Sequence, residues 1–119
     1  MWQDLGGHNL LSLMYQDSKR WSFLFQSYVQ LTQLRSHLKV HPFKKPIKIM
    51  ERSIHSSKYC FMETMLKMNL IQPSENEVFS AWYNFLVSSN NISVDLIIYL
   101  QTSPEIVYER ILKRELSAS

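Results

Sequence analysis

A carboxylate and a guanidinium stand side by side at Glu51-Arg52, directly after the run Ile47-Lys48-Ile49-Met50 and directly before Ser53. The run has the composition of a short strand, and Ser53 is a residue that caps helices. Arg52 taken alone is more often a surface or salt-bridged residue, with Glu51 as its partner. Its place between a strand and a helix cap favours a ligand-facing role instead, because α/β sheets bind their ligands at the carboxyl ends of strands. A guanidinium there offers a fixed fork of donors, suited to phosphate or carboxylate oxygens.

Other chemistry-bearing residues carry weaker signals. His37 and His41 are four apart, as two zinc ligands on one helix face would be, but Pro42 interrupts the helix and no third ligand has suitable spacing. Metal binding is not expected. Lys39, Lys44, Lys45 and Lys48 surround Pro42 and Pro46 and read as a solvated loop. Cys60 is the only cysteine, which excludes an internal disulfide and fits an intracellular, reducing compartment. No strand face alternates basic and aromatic residues, so a nucleic-acid partner is not expected.

These groups must be positioned by a small, helix-rich chain. At 119 residues with 45% hydrophobic and 19% charged side chains, it suits one globular domain. The net charge of +3 is too small to select among phosphate, nucleic acid and membrane. Nothing approaches the ~20 apolar residues of a membrane span, and the first residues lack the pattern of a signal or transit peptide. No membrane partner is expected.

The spacing predicts a short helix over 9–17 capped by Asn9, and a longer one over 18–39 capped by Ser18. The longer helix carries Trp21, Leu24, Phe25, Tyr28, Val29 and Thr32 as its apolar stripe, bordered by Gln26 and Gln33. After the strand at 47–50, a helix over 53–69 shows Ile54, Phe61, Met65 and Met68 on one face. The next, over 74–88, shows Val78, Ala81, Trp82, Phe85 and Leu86. Both are expected to bury those faces. The run 94–100 reads as a buried parallel strand, and Ser103-Pro104-Glu105 as the start of a last helix to about Leu116. An α/β class follows.

The strings Asn9-Leu10-Leu11-Ser12-Leu13-Met14-Tyr15, Phe25-Gln26-Ser27-Tyr28-Val29, Met50-Glu51-Arg52-Ser53-Ile54 and Asp95-Leu96-Ile97-Ile98-Tyr99-Leu100-Gln101-Thr102-Ser103-Pro104-Glu105 occur in one order. Together they resemble the deoxyribonucleoside kinases, closest to the mitochondrial thymidine kinase and multisubstrate branch. The resemblance implies a partial P-loop kinase fold: one partial domain over 1–119, with a parallel sheet flanked by helices. In the family strand order 2-3-1-4-5 this chain would supply strands 3 and 4. These would lie roughly 9–10 Å apart, two strand spacings, without pairing directly.

The resemblance also implies the reaction: transfer of the ATP γ-phosphoryl group, with Mg²⁺, to the 5′-hydroxyl of a deoxynucleoside. Gln26 would bond the base edge. Phe61 would stack on the base, with Trp2, Leu11, Met14, Phe25, Val29 and Met65 lining the cleft and Tyr15 binding the sugar 3′-hydroxyl. Arg52 would meet the 5′-oxygen and the incoming phosphoryl group. Glu51 would lie near the Mg²⁺ site, or simply pair with Arg52. Arg110 and Arg114 match the first lid arginines. An Arg–Asp pair occupies the positions of Gln33 and Ser57 in the deoxycytidine-preferring branch; small, uncharged Ser57 argues mildly for pyrimidines including thymidine.

Gly6 and Gly7 are the only glycines and no Gly-Lys-Ser/Thr occurs, so the phosphate loop is not in this sequence. The family's Glu-Pro-Val general base would precede Met1, and Ser117-Ala118-Ser119 stands where the lid turns acidic in relatives. The chain alone is therefore expected to be inactive, with neither ATP nor Mg²⁺ bound. A homodimer, or a non-catalytic role pairing with a full-length kinase, is the alternative expectation, in mitochondria or cytoplasm.

Overall fold

The computed structural model describes residues 6–39 and 47–118. Trp2 and the greater part of the lysine and proline loop, with His41, Lys44 and Lys45, lie outside the described residues. Among the described residues six α-helical segments and one π-helical turn follow in order: α1 (Leu10–Gln16), α2 (Ser18–Leu38), α3 (Ile54–Ser56), the π turn (Ser57–Met62), α4 (Glu63–Lys67), α5 (Pro73–Ser89) and α6 (Pro104–Ala118).

Local chemistry accounts for most boundaries. Asn9 caps α1, its side-chain oxygen accepting from Ser12 N–H at 3.0 Å. The cap of α2 is Asp17 rather than the expected Ser18: Asp17 accepts from Arg20 N–H, and the Ser18 hydroxyl donates back to Met14 O at 2.9 Å. A carboxylate complements the positive helix end better than a hydroxyl does. After α4, Asn69 takes the left-handed conformation (φ 57°), with Asn69 N–H on Leu66 O and Leu70 N–H on Met65 O. That pairing is a Schellman stop, which satisfies the last carbonyls and turns the chain toward α5. Pro73 opens α5, while Gln72 N–H donates to the Glu75 carboxylate at 2.9 Å.

The core is three small clusters. Leu10, Phe25 and Val29 join α1 to α2. Met62, Ile71 and Phe79 fasten the π turn to α5, with Phe23 and Met65 against them. Ile54, Tyr83 and Ile92 close the far end, with Leu34, Leu86 and Val87 packed on.

Neither expected strand forms. Residues 47–50 and 94–100 carry no regular secondary structure, and no strand is present among the described residues. The apolar side chains that were to be buried there stand open, Ile49 at 87% and Leu100 at 84% exposure. A strand is held by its neighbours' N–H and C=O groups, and an apolar run of strand length without those neighbours has nothing to pair with.

The buried faces also differ from the expected stripes. In α5 the inward residues are Phe79 and Tyr83, whereas Val78, Trp82 and Phe85 are more than half exposed. In α2 they are Ser22, Phe25, Gln26, Val29 and Gln30, with Leu24 outside. The α6 helix buries no residue.

Truncating Phe79 to alanine removes the centre of one cluster and is expected to cost about 3–5 kcal/mol by urea denaturation. Phe85→Ala, on the exposed stripe, is expected to stay within about 0.5 kcal/mol.

Candidate functional site

One cleft of about 380 Å³ opens where α1, the start of α2 and the run from the π turn to Leu70 converge. Its walls are Met14, Tyr15, Ser18, Ser22, Cys60, Phe61, Thr64, Met65, Met68 and Leu70. The volume is in the range of small-molecule sites, and the lining is apolar with a few polar atoms.

The π turn decides which residue faces the cleft. In an α-helix Phe61 would fall one turn after Ser57 and follow it into the core; the wider i→i+5 turn puts Met62 there instead. Ser57 and Met62 are accordingly both buried, while Phe61 is displaced to the cleft wall. The Arg52 guanidinium stacks over the Phe61 ring at 4.7 Å from its centroid.

The buried face of α2 that runs from the cleft-lining Ser22 is unusual. Ser22, Gln26 and Gln30 follow one another at four-residue steps, all at or below 5% exposure. Ser22 Oγ, Gln26 Oε1 and Gln30 Nε2 have no hydrogen-bond partner among the described residues. An unsatisfied buried polar atom costs about 1–3 kcal/mol. Three in a row on one helix face form a standing demand for polar partners.

Of the residues expected at a nucleoside site, the structure brings Met14, Tyr15, Phe61 and Met65 together around the cleft. Phe25 and Val29 belong to the adjoining cluster, against which Leu11 packs. Gln26 is buried one turn beyond the cleft-lining Ser22, Gln33 is half-buried further along α2, and Ser57 is buried beneath the π turn. Arg110 and Arg114 lie exposed on α6 and do not border the cleft. Glu51 and Arg52 are both exposed, and no ion pair joins them among the described residues. Ser22, Gln30, Cys60 and Thr64 escaped the sequence reading, although the 22/26/30 spacing was visible as a polar line along one helix face.

Arg52 has φ 62°, a left-handed backbone that a long side chain adopts only where its surroundings impose it. Just past it a second polar group of side chains closes the opposite end of α2. His55 Nδ1 lies 2.7 Å from the Tyr83 hydroxyl, and the Lys58 ammonium donates to Ser80 Oγ at 2.8 Å. Burial, then Tyr59, pushes the Tyr83 hydroxyl up to about 12. Burial first, then the neighbouring His55 and Lys48, holds His37 below its usual range.

No group of three or more His, Cys, Asp or Glu side chains that could hold a metal gathers among the described residues. With Glu51 as the lone carboxylate beside Arg52, and no glycine-rich amide cradle, the described residues do not fit a bound Mg²⁺ or the phosphates of ATP.

The cleft thus presents the Phe61 ring on its wall, with the Arg52 guanidinium over that ring. The chain belongs to the deoxynucleoside kinase family, whose model matches residues 1–119. It is 42% identical over 113 residues to the mitochondrial thymidine kinase 2 of Homo sapiens, covering 95% of this chain and 42% of that protein. It is 33% identical over 115 residues to deoxycytidine kinase 2 of Gallus gallus (91% of this chain, 43% of that one). The mitochondrial deoxyguanosine kinase of Xenopus laevis is likewise 33% identical over 115 residues (89% and 43%). The chain thus spans about two fifths of the length of these relatives.

Because the folded chain holds the Tyr83 proton more tightly than the unfolded one, the Tyr83 contribution to stability is complete below pH 10.0. It is lost as pH rises toward about 12. Denaturation at stepped alkaline pH is expected to show that loss, and Tyr83→Phe to flatten it.

Proposed function

We propose that this chain forms the nucleoside-binding part of a kinase that transfers the ATP γ-phosphoryl group to the 5′-hydroxyl of a deoxynucleoside, a pyrimidine such as thymidine or deoxycytidine. The observation that carries the proposal is the buried Gln26 Oε1, without a partner among the described residues, one turn along α2 from the Ser22 that shares a cleft wall with Phe61, in a chain of this family. A pyrimidine edge supplies donors and acceptors for a glutamine amide, and its ring offers a face for Phe61.

In this reading Phe61 and Met65 hold the base, Tyr15 the 3′-hydroxyl, and Arg52 the 5′-oxygen and its phosphoryl group. Leu11, Met14, Phe25 and Val29 shape the apolar wall, and Gln33 and Ser57 set base preference. Glu51, Arg110 and Arg114 act on the phosphate side, together with segments of the parent kinase that bring ATP and Mg²⁺. The parent sheet adopts the P-loop kinase arrangement, in which 47–50 and 94–100 become strands. The protein works in mitochondria or cytoplasm. By itself the 119-residue chain binds nucleoside without phosphorylating it, since positioning and charge stabilisation of the phosphoryl group need those further segments.

The exposed stripe Val78, Trp82 and Phe85 favours a second reading, in which the chain is non-catalytic and pairs with a second copy or with a full-length kinase. Co-elution with a purified full-length deoxynucleoside kinase would support it; strictly monomeric behaviour in light scattering would count against it.

Calorimetric titration with thymidine is expected to show binding that Phe61→Ala weakens about tenfold or more, the loss of one base stack of ~1–3 kcal/mol. Gln26→Leu is expected to abolish binding while leaving the ligand-free chain equally or more stable, because it removes a buried carbonyl oxygen that has no partner among the described residues. Phosphorylation of thymidine by the isolated chain would overturn its assignment as inactive.

A further inference from the structure

The two ends of the segment that carries Arg52 are tied to a single place, the carboxyl end of α2. On one side the Lys48 ammonium donates to three backbone carbonyls there: Ser36 O, His37 O at 2.9 Å and Lys39 O at 3.1 Å. Those are carbonyls that a helix end leaves without intrahelical partners, and a cation is the favoured group beside them. On the other side the N-cap position of the helical run after Arg52, Ser53, makes no side-chain cap bond. The Ile54 amide is held by His37 from α2, whose ring Nε2 accepts from Ile54 N–H at 3.2 Å.

Between these two anchors lie Glu51 and Arg52, with Arg52 in the left-handed region and its guanidinium over Phe61. Only Ile49, Met50, Glu51 and Arg52 lie between Lys48 and Ser53, so pinning Lys48 and Ile54 to one helix end leaves the backbone between them little freedom. A left-handed arginine is the kind of conformation that such over-determination sustains.

We propose that His37 and Lys48 act as positioning residues, a two-way clamp between α2 and the Arg52 segment, and that protonation of His37 opens the clamp. The neutral ring has one nitrogen free to accept; the imidazolium has none. Protonation would set an N–H against the Ile54 N–H at the positive end of a helix, with Lys48 and His55 close by. His55 faces His37 from α3 with ring centroids 6.2 Å apart, Lys48 reaches it from the segment ahead of Arg52, and Tyr83 of α5 stands behind His55. No carboxylate is among the groups acting on His37 to offset the added charge, in keeping with its lowered proton affinity. The folded chain therefore binds the His37 proton more weakly than the unfolded chain. The clamp's contribution is present above the ordinary histidine pKa of 6.5 and is lost as pH falls through and below it.

The value of the clamp to phosphoryl transfer rests on the nucleoside-site reading above; the clamp itself does not. Heteronuclear NMR of the full 119-residue chain separates the two. Expected at neutral pH is a His37 Nε2 with the nitrogen shift of an unprotonated acceptor, together with slow exchange of the Ile54 amide. On acidification, His37 protonation, loss of Ile54 protection and movement of the Arg52 side-chain signals should share one midpoint below 6.5.

His37→Gln supplies an acceptor that does not titrate and should keep Ile54 protected at both ends of the range, whereas His37→Leu should lose it throughout. Lys48→Met should displace the Arg52 signals at neutral pH. Arg52 and Ile54 signals that ignore the His37 titration, or a His37→Gln chain that behaves as His37→Leu does, would overturn the clamp. So would unchanged Arg52 signals in Lys48→Met. Thymidine added to the same samples tests the other reading: binding that weakens with acid in the wild type but not in His37→Gln supports both. Absence of thymidine binding with the Ile54 behaviour intact would remove the nucleoside reading and leave the clamp standing.

Discussion

The register change at the π turn is the constraint on which the rest of this chain depends. Because the turn closes i→i+5 rather than i→i+4, it buries Ser57 and Met62 together and rotates everything downstream. Met62 then meets Ile71 and Phe79, which locks α5 beneath the turn, and Phe61 is left for the cleft. An uninterrupted α-helix over the same residues would send Phe61 inward and Met62 toward solvent, dissolving both the cluster and the cleft wall. The wide turn is tolerated because its side chains are partnered: Lys58 reaches Ser80, and the rings of Tyr59 and Tyr83 meet edge to face.

The polar line Ser22, Gln26 and Gln30 shows a different balance. A helix face that packs into a domain is ordinarily apolar, and here it carries three unsatisfied polar atoms instead. Such a face reduces the stability of the chain, and under the nucleoside-site proposal a bound ligand would offset that cost. Membership in the deoxynucleoside kinase family supplies the chemical context for that proposal.

Much of this was legible in the sequence and some was not, for identifiable reasons. Asn9 and Ser103 were readable because capping depends on neighbours three residues away. Asp17 displaced Ser18 as the cap since both types cap well and only geometry separates them. The strand readings at 47–50 and 94–100 recognised composition correctly but could not supply pairing, a property of segments distant in sequence. The α5 stripe was misassigned except for Leu86, because two apolar lines run along that helix, Val78–Trp82–Phe85 and Phe79–Tyr83–Leu86, and periodicity alone does not say which one meets the core. No local signal announces a π turn, so the burial of Met62 in place of Phe61 was hidden. Of the cleft walls, Met14, Tyr15, Phe61 and Met65 had been singled out through resemblance, whereas Ser22 was overlooked because polar residues on a helix are read as solvated.

The α2 helix has 21 residues, which at 1.5 Å each makes a strut about 30 Å long. Ser22, near its beginning, forms part of the cleft wall, and His37, near its end, holds the amide of Ile54. From Ile54 the chain runs through the π turn to Phe61 and so returns to the cleft. The path is therefore a closed mechanical circuit, one side a rigid rod and the other a helical run with a wider turn in it. In such a frame neither side can tilt or slide without loading the other, and the π turn sets where the returning side meets the cleft.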